Sequence, residues 1–380
     1  MRVLICMASW TRGASGGDMH ILTSARRWSD RVDVRVVCPR GAVPLVRDFL
    51  PHAPVSTFRA WAPTNSAPLM AAEYVRRLLP AARAARRAGP VDIAIAASHF
   101  IPDAAAITSA RARRRVAFVY HLSKLQGRDP GLRTALALAG EDLGVAWLRR
   151  VVDLAFVSND LTITRPDQWR GVERTDVGIV MPIARPARPA VPEYAAAFVG
   201  RLVPTKGIRD LVRAFAQVRS ARPGARLAVV GTGADADAAR ALAASLGVAD
   251  AIDWLGFVDE EEKLRVLTAS GALLFPSYEE GWGIAICEAL ALGTPVVAYD
   301  LPLYGGIFPE GLVTVPRGDW SSLAQACVSL LGDPDRATAL GESGRQWVQR
   351  YDVQDIADRE LLALARAIGR DGSGGDHVPR

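Results

Sequence analysis

The sequence predicts an α/β protein built from two Rossmann-like, doubly wound domains that face each other across a cleft. Three observations support this prediction. Short apolar runs rich in Val, Ile and Leu recur along the chain, alanine-rich helical segments separate them, and a proline-rich stretch divides the series in two. The runs are continuous rather than alternating, which is typical of parallel strands covered by helices on both faces. Alternation of strand and helix in each half favours two separate doubly wound sheets.

Six apolar runs in each half are predicted to be strands. In the first half they are RVLICM (2–7), VRVVC (34–38), VDIAIAAS (91–98), RVAFVY (115–120), LAFVS (154–158) and GIVMP (178–182). In the second half they are AAFVG (196–200), RLAVVG (226–231), AIDWLG (251–256), GALLFPS (271–277), PVVAYD (295–300) and LVTVP (312–316).

The domain boundaries follow from the proline-rich stretch and from the last helical pattern. Four prolines between 182 and 192 cannot continue a helix or a central strand, so this stretch is predicted to be a linker. We therefore expect a first domain over 1–182, a linker over 183–194 and a second domain over 195–346. A helix over 347–370 is expected to pack back toward the first domain, and 371–380 is expected to be a disordered tail.

Composition narrows the class of protein. Half of the 380 residues are hydrophobic and 23% are charged, as in ordinary globular proteins. The four cysteines are scattered, which argues against a disulfide framework or a zinc site and favours a reducing compartment. The first residues are typical of a strand rather than a signal peptide, and no run approaches the length of a membrane-spanning helix. We therefore expect a cytoplasmic protein.

The two halves differ in charge. Residues 1–185 carry 27 Lys and Arg against 15 Asp and Glu, whereas 186–380 carry 19 against 25. Much of the excess lies in 74–89 and 110–115. The arginines are consistent with a solvated helix face, or with a surface for an anionic membrane or an anionic acceptor at the inner membrane face. Nucleic acid is not expected, because no recognition motif accompanies them.

Two loops of the second half carry residues suited to a diphosphate and to hydroxyl groups. Arg201 and Lys206 follow a predicted strand and precede a helix, where an Arg fork and a Lys point charge can hold two phosphates. Glu280 begins a Glu-Gly-Trp-Gly sequence before the next helix, which carries Glu288. Glycines let backbone N–H groups approach an anion at a helix start, and carboxylates accept hydrogen bonds from sugar hydroxyls. Surface cations and helix-capping acids are the alternative, but they do not explain the glycines; a nucleotide sugar explains both loops.

The first half offers weaker signals. A glycine-rich turn with Gly16 and Gly17 follows the first strand and precedes a helix. His99 and His121 each end a predicted strand. His99 is interpreted as structural, whereas polar residues follow His121 and favour a place in the predicted cleft.

Together these residues resemble the retaining glycosyltransferases of the GT-B fold, family 4 type. The resemblance covers most of the chain and implies that the domain over 1–182 binds the acceptor and the domain over 195–346 binds the nucleotide-sugar donor. It includes the Gly-Gly loop, the strand-end histidine, the G-R-L-x-x-x-K-G segment at 200–207, the turn LGFVDEEEKL at 255–264 and the E-x7-E pair with its E-G-x-G start.

The resemblance implies four catalytic residues. Arg201 and Lys206 would hold the donor diphosphate and stabilise the leaving charge. Glu280, together with the glycines and the tryptophan at 281–283, would contact the transferred sugar, and His121 would lie beside it.

The resemblance also implies the remaining donor contacts. Glu288 would bind the ribose hydroxyls, and Phe257 and Val258 would lie against the base. Gly16 and Gly17 would lie by the diphosphate. The full predicted donor set is therefore Gly16, Gly17, Arg201, Lys206, Phe257, Val258, Glu280, Gly281, Trp282, Gly283 and Glu288.

The sequence departs from the family pattern at two of these places. Trp282 stands where the family usually has Phe, which would reshape the sugar pocket. Met19 stands where the family often has Glu or Gln, which leaves the acceptor contact open and raises the question of whether His20 replaces it.

The predicted reaction is transfer of a hexose from a UDP- or GDP-sugar to a hydroxyl acceptor with retention of anomeric configuration. No cofactor and no metal are expected, because fixed cations and helix dipoles take the role of a divalent ion. The Asp-x-Asp of Asp235 and Asp237 is interpreted as a structural helix start.

Three alternatives stay open at this point, and one of them is a phosphorylase or epimerase of similar fold. A nicotinamide-dependent dehydrogenase is prompted by Gly231 and Gly233, but Ala236 stands where a third glycine belongs and no ribose-binding acid follows. A catalytically inactive nucleotide-sugar-binding scaffold of the same fold is the third; the intact Arg201, Lys206, Glu280 and Glu288 argue against it.

Overall fold

The computed structural model describes residues 1–10, 16–61, 67–119, 132–157, 172–176, 189 and 191–369. The chain divides into two compact units. The first comprises 1–180 together with 353–380, and the second comprises 181–352. None of the helices within the described ranges has the length and apolar character needed to cross a membrane.

The first unit is a seven-stranded parallel sheet with helices between its strands. Its strands, in the spatial order β3-β2-β1-β4-β5-β6-β7, are β1 Arg2–Cys6, β2 Asp33–Pro39, β3 Val55–Phe58, β4 Val91–Ala96, β5 Ala112–Val119, β6 Leu154–Val157 and β7 Glu173–Asp176. Its helices are α1 Gly16–Trp28, α2 Val43–Phe49, α3 Ala67–Arg87, α4 Ile101–Ser109, α5 Leu132–Val151 and, from the far end of the chain, α13 Val353–Gly369.

The second unit is a six-stranded parallel sheet of the same kind. Its strands, in the order β10-β9-β8-β11-β12-β13, are β8 Tyr194–Val199, β9 Leu227–Val230, β10 Ile252–Gly256, β11 Ser270–Phe275, β12 Val296–Tyr299 and β13 Leu312–Val315. Its helices are α6 Ile208–Ala221, α7 Ala236–Ser245, α8 Glu260–Thr268, α9 Ile284–Ala291, α10 Tyr304–Ile307, α11 Trp320–Gly332 and α12 Pro334–Val348.

The central strands are buried on both faces. β4, β6, β9, β11 and β12 consist almost wholly of buried residues, as their continuous apolar sequences require. Fully burying a Leu, Ile or Phe side chain of these strands stabilises the fold by about 1.5–3 kcal/mol relative to leaving it exposed. The predicted α/β class with two doubly wound parallel sheets is confirmed.

Some predicted elements differ from the observed ones. β3 and β7, at opposite edges of the first sheet, were not predicted, because neither has a continuous apolar run; β7 reads Glu-Arg-Thr-Asp. The predicted strand 178–182 and most of the linker fall outside the described residues, and the linker's last residue, Tyr194, already begins β8.

The helix expected over 347–370 is two helices rather than one. α12 ends at Val348, a 3₁₀ turn spans Gln349–Tyr351, and α13 begins at Val353. Asp352 between them is extended, with ψ 138°, and this breaks the helical hydrogen bonding. The Tyr351 hydroxyl donates to the Ile307 carbonyl at 3.2 Å, which fixes the turn.

α13 packs against α1 within the first unit. The Trp28 indole donates to the Ala357 carbonyl at 3.0 Å. His20 and Glu360, both fully buried, are joined between Nε2 and Oε1 at 2.6 Å. The last helix is therefore part of the first unit's core.

Candidate functional site

The predicted donor residues of the second unit lie at the carboxyl edge of its sheet. The chain runs β8, β9, β10 toward one side and then returns to place β11 on the other side of β8. The loops after β8 and β11 therefore begin side by side at the point where the strand order reverses, which is where open α/β sheets bind ligands. The first loop carries Arg201 and Lys206, and the second carries Glu280.

A glycine holds the Lys206 turn against the neighbouring loop. Lys206 ends a 3₁₀ turn, Pro204–Lys206, and Gly207 follows in the left-handed conformation with φ 67°. A Cβ on Gly207 would lie 2.0 Å from the Pro276 carbonyl oxygen. Only glycine permits both the conformation and this approach.

Lys206 and Glu280 form an ion pair. The Lys206 Nζ atom lies 2.5 Å from Glu280 Oε1, and the side chains are 15% and 10% exposed. Nζ also donates to the Glu279 carbonyl oxygen at 3.2 Å. An ammonium has three N–H donors, so these contacts leave one for a ligand. Arg201 is exposed and forms no ion pair with any residue that the structure describes.

Hydrogen bonds to α6 and to the Lys206 turn fix the loop that carries Glu280. The Tyr278 backbone N–H donates to the Thr205 carbonyl at 2.9 Å. The hydroxyls of Tyr278 and Tyr299 both donate to the Asp210 carboxylate, at 2.5 and 3.0 Å. The loop ends at Gly283, whose φ of 98° lets the backbone turn into α9. Glu280 thus lies on a rigid support.

Trp282 is a packed residue of this loop. It is 4% exposed, and its ring meets those of Phe308 and Tyr351 edge-on, with centroids 6.2 and 5.0 Å apart. Phe257, after β10, is by contrast 88% exposed, and Val258 is half-buried. An apolar ring that faces solvent beside the carboxyl edge is available to stack on a flat ligand.

Glu288 is paired with a residue that the sequence analysis did not select. The Lys263 Nζ atom lies 2.6 Å from Glu288 Oε1 and 2.9 Å from Glu260 Oε2. Burial raises the pKa of Glu288 above its usual range, while the Lys263 ammonium opposes the rise. The available signal was that Lys263 is one of only three lysines in the chain and lies in the family turn at 255–264.

The glycines that prompted the dehydrogenase hypothesis have a packing role. A Cβ on Gly231 would lie 1.9 Å from the Gly200 oxygen, and one on Gly233 would lie 2.2 Å from the Leu202 oxygen. The loop after β9 therefore packs directly against the loop after β8, at the residues on either side of Arg201.

Asp235 is a structural residue, in line with its interpretation from sequence. Its carboxylate oxygens accept hydrogen bonds from Nε and Nη2 of Arg209 at 3.2 and 2.6 Å. This bidentate pair fastens α7 to α6.

The first unit holds the remaining predicted residues. Gly16 and Gly17 are the first residues of α1, and His121 lies outside the described residues. His20 does not take the acceptor role considered for it, because it is buried against Glu360. His99 is buried and stacks on Phe100 with ring centroids 4.7 Å apart.

A buried carboxylate fixes the backbone that leads into the glycine-rich loop. Asp103 Oδ1 accepts from the N–H groups of Ala8 and Ser9 at 2.5 and 3.2 Å, and Oδ2 accepts from the Ser98 hydroxyl. From the other side, Arg77 donates to the carbonyl of Trp10 at 2.6 Å.

Comparison with known proteins finds a family that the second unit resembles. Residues 184–347 match the family model "Glycosyl transferases group 1". Over 191 residues the chain is 35% identical to the D-inositol 3-phosphate glycosyltransferase of Segniliparus rotundus, covering 48% of this chain and 41% of that protein. Over 284 residues it is 31% identical to the 2-deoxystreptamine N-acetyl-D-glucosaminyltransferase of Streptomyces fradiae, covering 67% and 65%. The chain therefore spans less than two thirds of either relative's length.

The fold is also that of a solved structure. The Anabaena protein Alr3699/HepE, solved in complex with UDP-glucose, superposes with a TM-score of 0.74 at 18% identity, over 96% of this chain and 100% of that one.

Proposed function

We propose that this chain transfers a hexose from a nucleotide-diphosphate sugar to a hydroxyl acceptor, because its second unit matches the group 1 glycosyl transferases and its fold is that of a protein solved with UDP-glucose. The observation that carries the proposal is the ion pair between the loops after β8 and β11, in which Lys206 Nζ lies 2.5 Å from Glu280 Oε1. Lys206 is a cation that can bind a phosphate, and Glu280 beside it is a carboxylate that can accept a hydrogen bond from a hydroxyl. A diphosphate joined to a sugar is the ligand that uses both.

The donor would lie along the carboxyl edge of the second sheet. Arg201 and Lys206 would bind the diphosphate, helped by the N-terminus of α9, where backbone N–H groups and the helix dipole favour an anion. Glu280 and the backbone at 281–283 would face the transferred sugar. Glu288 would accept hydrogen bonds from the ribose, and Phe257 with Val258 would lie against the base. The contacts that the sequence predicts for Gly16, Gly17 and His121 with the donor and its sugar stay part of this proposal.

The proposed chemistry is substitution with retention. The bond between the anomeric carbon and the diphosphate oxygen breaks, and the acceptor oxygen bonds to the anomeric carbon on the same face. The acceptor proton passes to the leaving diphosphate, whose charge also stabilises the oxocarbenium character of the transition state. Glu280 orients hydroxyls rather than acting as a nucleophile, because Lys206 holds its carboxylate. We propose that the fixed cations replace a divalent ion in stabilising the leaving charge.

The acceptor has two candidate classes. The exposed face of α3 carries Leu69, Val75 and Leu79 among Arg76, Arg83 and Arg86, which supports peripheral contact with an anionic membrane and a lipid-linked acceptor. The relative named for 2-deoxystreptamine supports instead a small polyhydroxylated acceptor.

The test is binding and turnover against a panel of UDP-, GDP-, ADP- and dTDP-sugars with EDTA present. Thermal stabilisation by one nucleotide family, with slow release of that diphosphate, would support the donor assignment and independence from metal. Stabilisation without turnover in the presence of any acceptor would favour the inactive scaffold. If EDTA abolishes turnover, the proposed independence from metal is contradicted, whereas the proposed sugar transfer is not.

A further inference from the structure

Two buried hydrogen-bonding groups beside Glu280 have no partner among the described residues. They are the indole Nε1 of Trp282 and the hydroxyl of Tyr304. The side chains are 4% and 2% exposed. A buried donor without a partner loses its hydration and gains nothing in return, so such groups in a folded protein call for an explanation.

The two groups belong to one cluster. Trp282 lies in the loop after β11, and Tyr304 begins α10 in the segment after β12, the neighbouring strand of the sheet. Both rings contact the ring of Phe308, with centroid distances of 6.2 and 6.1 Å. Glu280 is close enough to Tyr304 that its charge, after burial, contributes to raising the pKa of the Tyr304 hydroxyl.

The chemistry of the cluster selects its ligand. An indole N–H can only donate a hydrogen bond, a carboxylate can only accept one, and a phenol hydroxyl can do either. A ligand that meets all three must therefore carry an oxygen that accepts and a hydroxyl that donates, close together on a compact frame. A sugar ring has adjacent groups of this kind, whereas a phosphate dianion has no hydrogen to offer Glu280.

We infer that Tyr304 and Trp282 bind the transferred sugar and determine which sugar the enzyme accepts. The inference rests on the proposed function and extends it by two contacts: Trp282 Nε1 donates to one sugar oxygen, and the Tyr304 hydroxyl binds a neighbouring oxygen next to the one held by Glu280. A site that hydrogen-bonds a hydroxyl rejects a sugar that lacks it, because the buried groups are then left unpaired.

The test uses substitutions that remove only the polar atoms. Trp282→Phe removes the N–H and keeps an aromatic ring; Tyr304→Phe removes the hydroxyl alone. Tyr351→Phe is the matched control, because Tyr351 also contacts Trp282 but its hydroxyl already donates to the Ile307 carbonyl. For each variant, kcat/KM is measured with the preferred nucleotide sugar, its epimers and its deoxy analogues. The Kd of the nucleoside diphosphate and the melting temperature are measured alongside.

We expect each test variant to lose about 5- to 100-fold in kcat/KM for the preferred sugar. The Kd of the diphosphate should change less than twofold, and discrimination against one deoxy analogue should shrink. Tyr351→Phe should keep the wild-type discrimination.

Wild-type discrimination in both test variants would overturn the inference, and so would equal losses for every sugar together with weaker diphosphate binding. If Trp282→Phe does not fold, Tyr304→Phe decides alone. A wild-type protein that binds and turns over no nucleotide sugar would overturn the proposed function and, with it, this inference.

Discussion

The Lys206 ammonium and the Glu280 carboxylate, which come from loops 74 residues apart, are joined by a 2.5 Å hydrogen bond between Nζ and Oε1. The pair bridges the point where the chain reverses direction across the sheet. Each side chain limits the position of the other: the Glu280 carboxylate accepts a hydrogen bond from Lys206, and the Lys206 ammonium is held between the two loops. A bound diphosphate would thus meet a cation that is already in place.

Loss of either member of this pair should reduce sugar transfer by orders of magnitude. Lys206→Ala removes the charge that stabilises the leaving diphosphate, and Glu280→Ala removes the sugar contact; we expect kcat to fall about 100-fold or more in each. Glu280→Gln should retain part of the activity, since an amide still accepts a hydrogen bond. Initial rates with the identified donor give the measurement. Arg336→Ala, a surface arginine of α12, is the control, and wild-type rates in both alanine variants would refute the assignment.

Lys263→Met should destabilise the protein more at pH 8 than at pH 5. Burial raises the folded-state pKa of Glu288, so its ionised form is disfavoured on folding, and stability falls as pH rises above the usual Glu value. Lys263→Met removes the ammonium that opposes this rise in the pKa, so the free energy of unfolding should fall further with pH. We expect the variant to lose about 2 kcal/mol or more at pH 8. Urea unfolding at the two pH values measures it. Lys263→Arg should preserve most of the stability, and an equal loss at both pH values would contradict the argument.

Gly207→Ala should damage the site and the fold together. The new methyl would meet the Pro276 carbonyl at 2.0 Å and force a left-handed residue with a side chain, so we expect a loss of about 2 kcal/mol or more. Gly224→Ala is the matched control, because no atom lies within 4 Å of its added Cβ. Thermal unfolding and diphosphate binding are measured on both. Equal melting temperatures for the two variants would show that the loops can separate without cost.

Asp103 should make the stability of the first unit depend on pH. Burial raises its pKa to about 7, against hydrogen bonds that lower it. The folded state then binds a proton that the unfolded state has released, so the free energy of unfolding should fall as pH rises from about 4 to about 7.

Asp103→Asn should flatten that part of the profile, because the amide can still accept from Ala8 and Ser9 but does not titrate. Asp103→Ala should cost about 1–3 kcal/mol, since those N–H groups lose their partner. Denaturant titrations from pH 4 to 8 give the free energy of unfolding of both variants and of the wild type. If the pH profile of Asp103→Asn runs parallel to that of the wild type, Asp103 is not the source of the pH dependence.

The exposed face of α3 should bind anionic vesicles. We expect the full chain to sediment with phosphatidylglycerol vesicles and not with phosphatidylcholine vesicles. Replacing Arg76, Arg83 and Arg86 together by Gln should weaken binding about tenfold or more, since each arginine near an anionic surface contributes about 1 kcal/mol. Leu79→Ser tests the apolar part separately. Binding that persists at 0.5 M salt in the triple variant would rule out an electrostatic surface.

Sequence predicted the sheets well where strands are buried. The apolar runs correspond to β1, β2, β4, β5 and β6 and to all six strands of the second sheet, because a strand covered on both faces needs no polar residue. The edge strands β3 and β7 were missed because a strand at the edge of a sheet is less covered and does not need a continuous apolar sequence. The prediction of a single helix over 347–370 was wrong. The apolar period of the sequence continues through Asp352, whereas the helical backbone is interrupted there.

The candidate residues were chosen from the sequence, but their contacts with one another were not predicted. Spacing after strands pointed to Arg201, Lys206, Glu280 and Glu288. That Lys206 contacts Glu280, and that Lys263 contacts Glu288, depends on which loops the sheet order brings together, and no local pattern records this. Tyr304 was missed because only its burial near Glu280, without a hydrogen-bond partner among the described residues, marks it as a candidate, and the sequence does not show this.

The return of α13 to the first unit has a consequence for how the protein is made. Until residues 353–369 have left the ribosome, the sheet of the first unit lacks one of its covering helices, and the contacts of Trp28 with Ala357 and of His20 with Glu360 cannot form. The second unit is an uninterrupted segment that is complete before then. Of the two, the unit that begins later in the sequence is thus the first that can finish folding, and the nascent first unit must wait for it with its α1 surface uncovered.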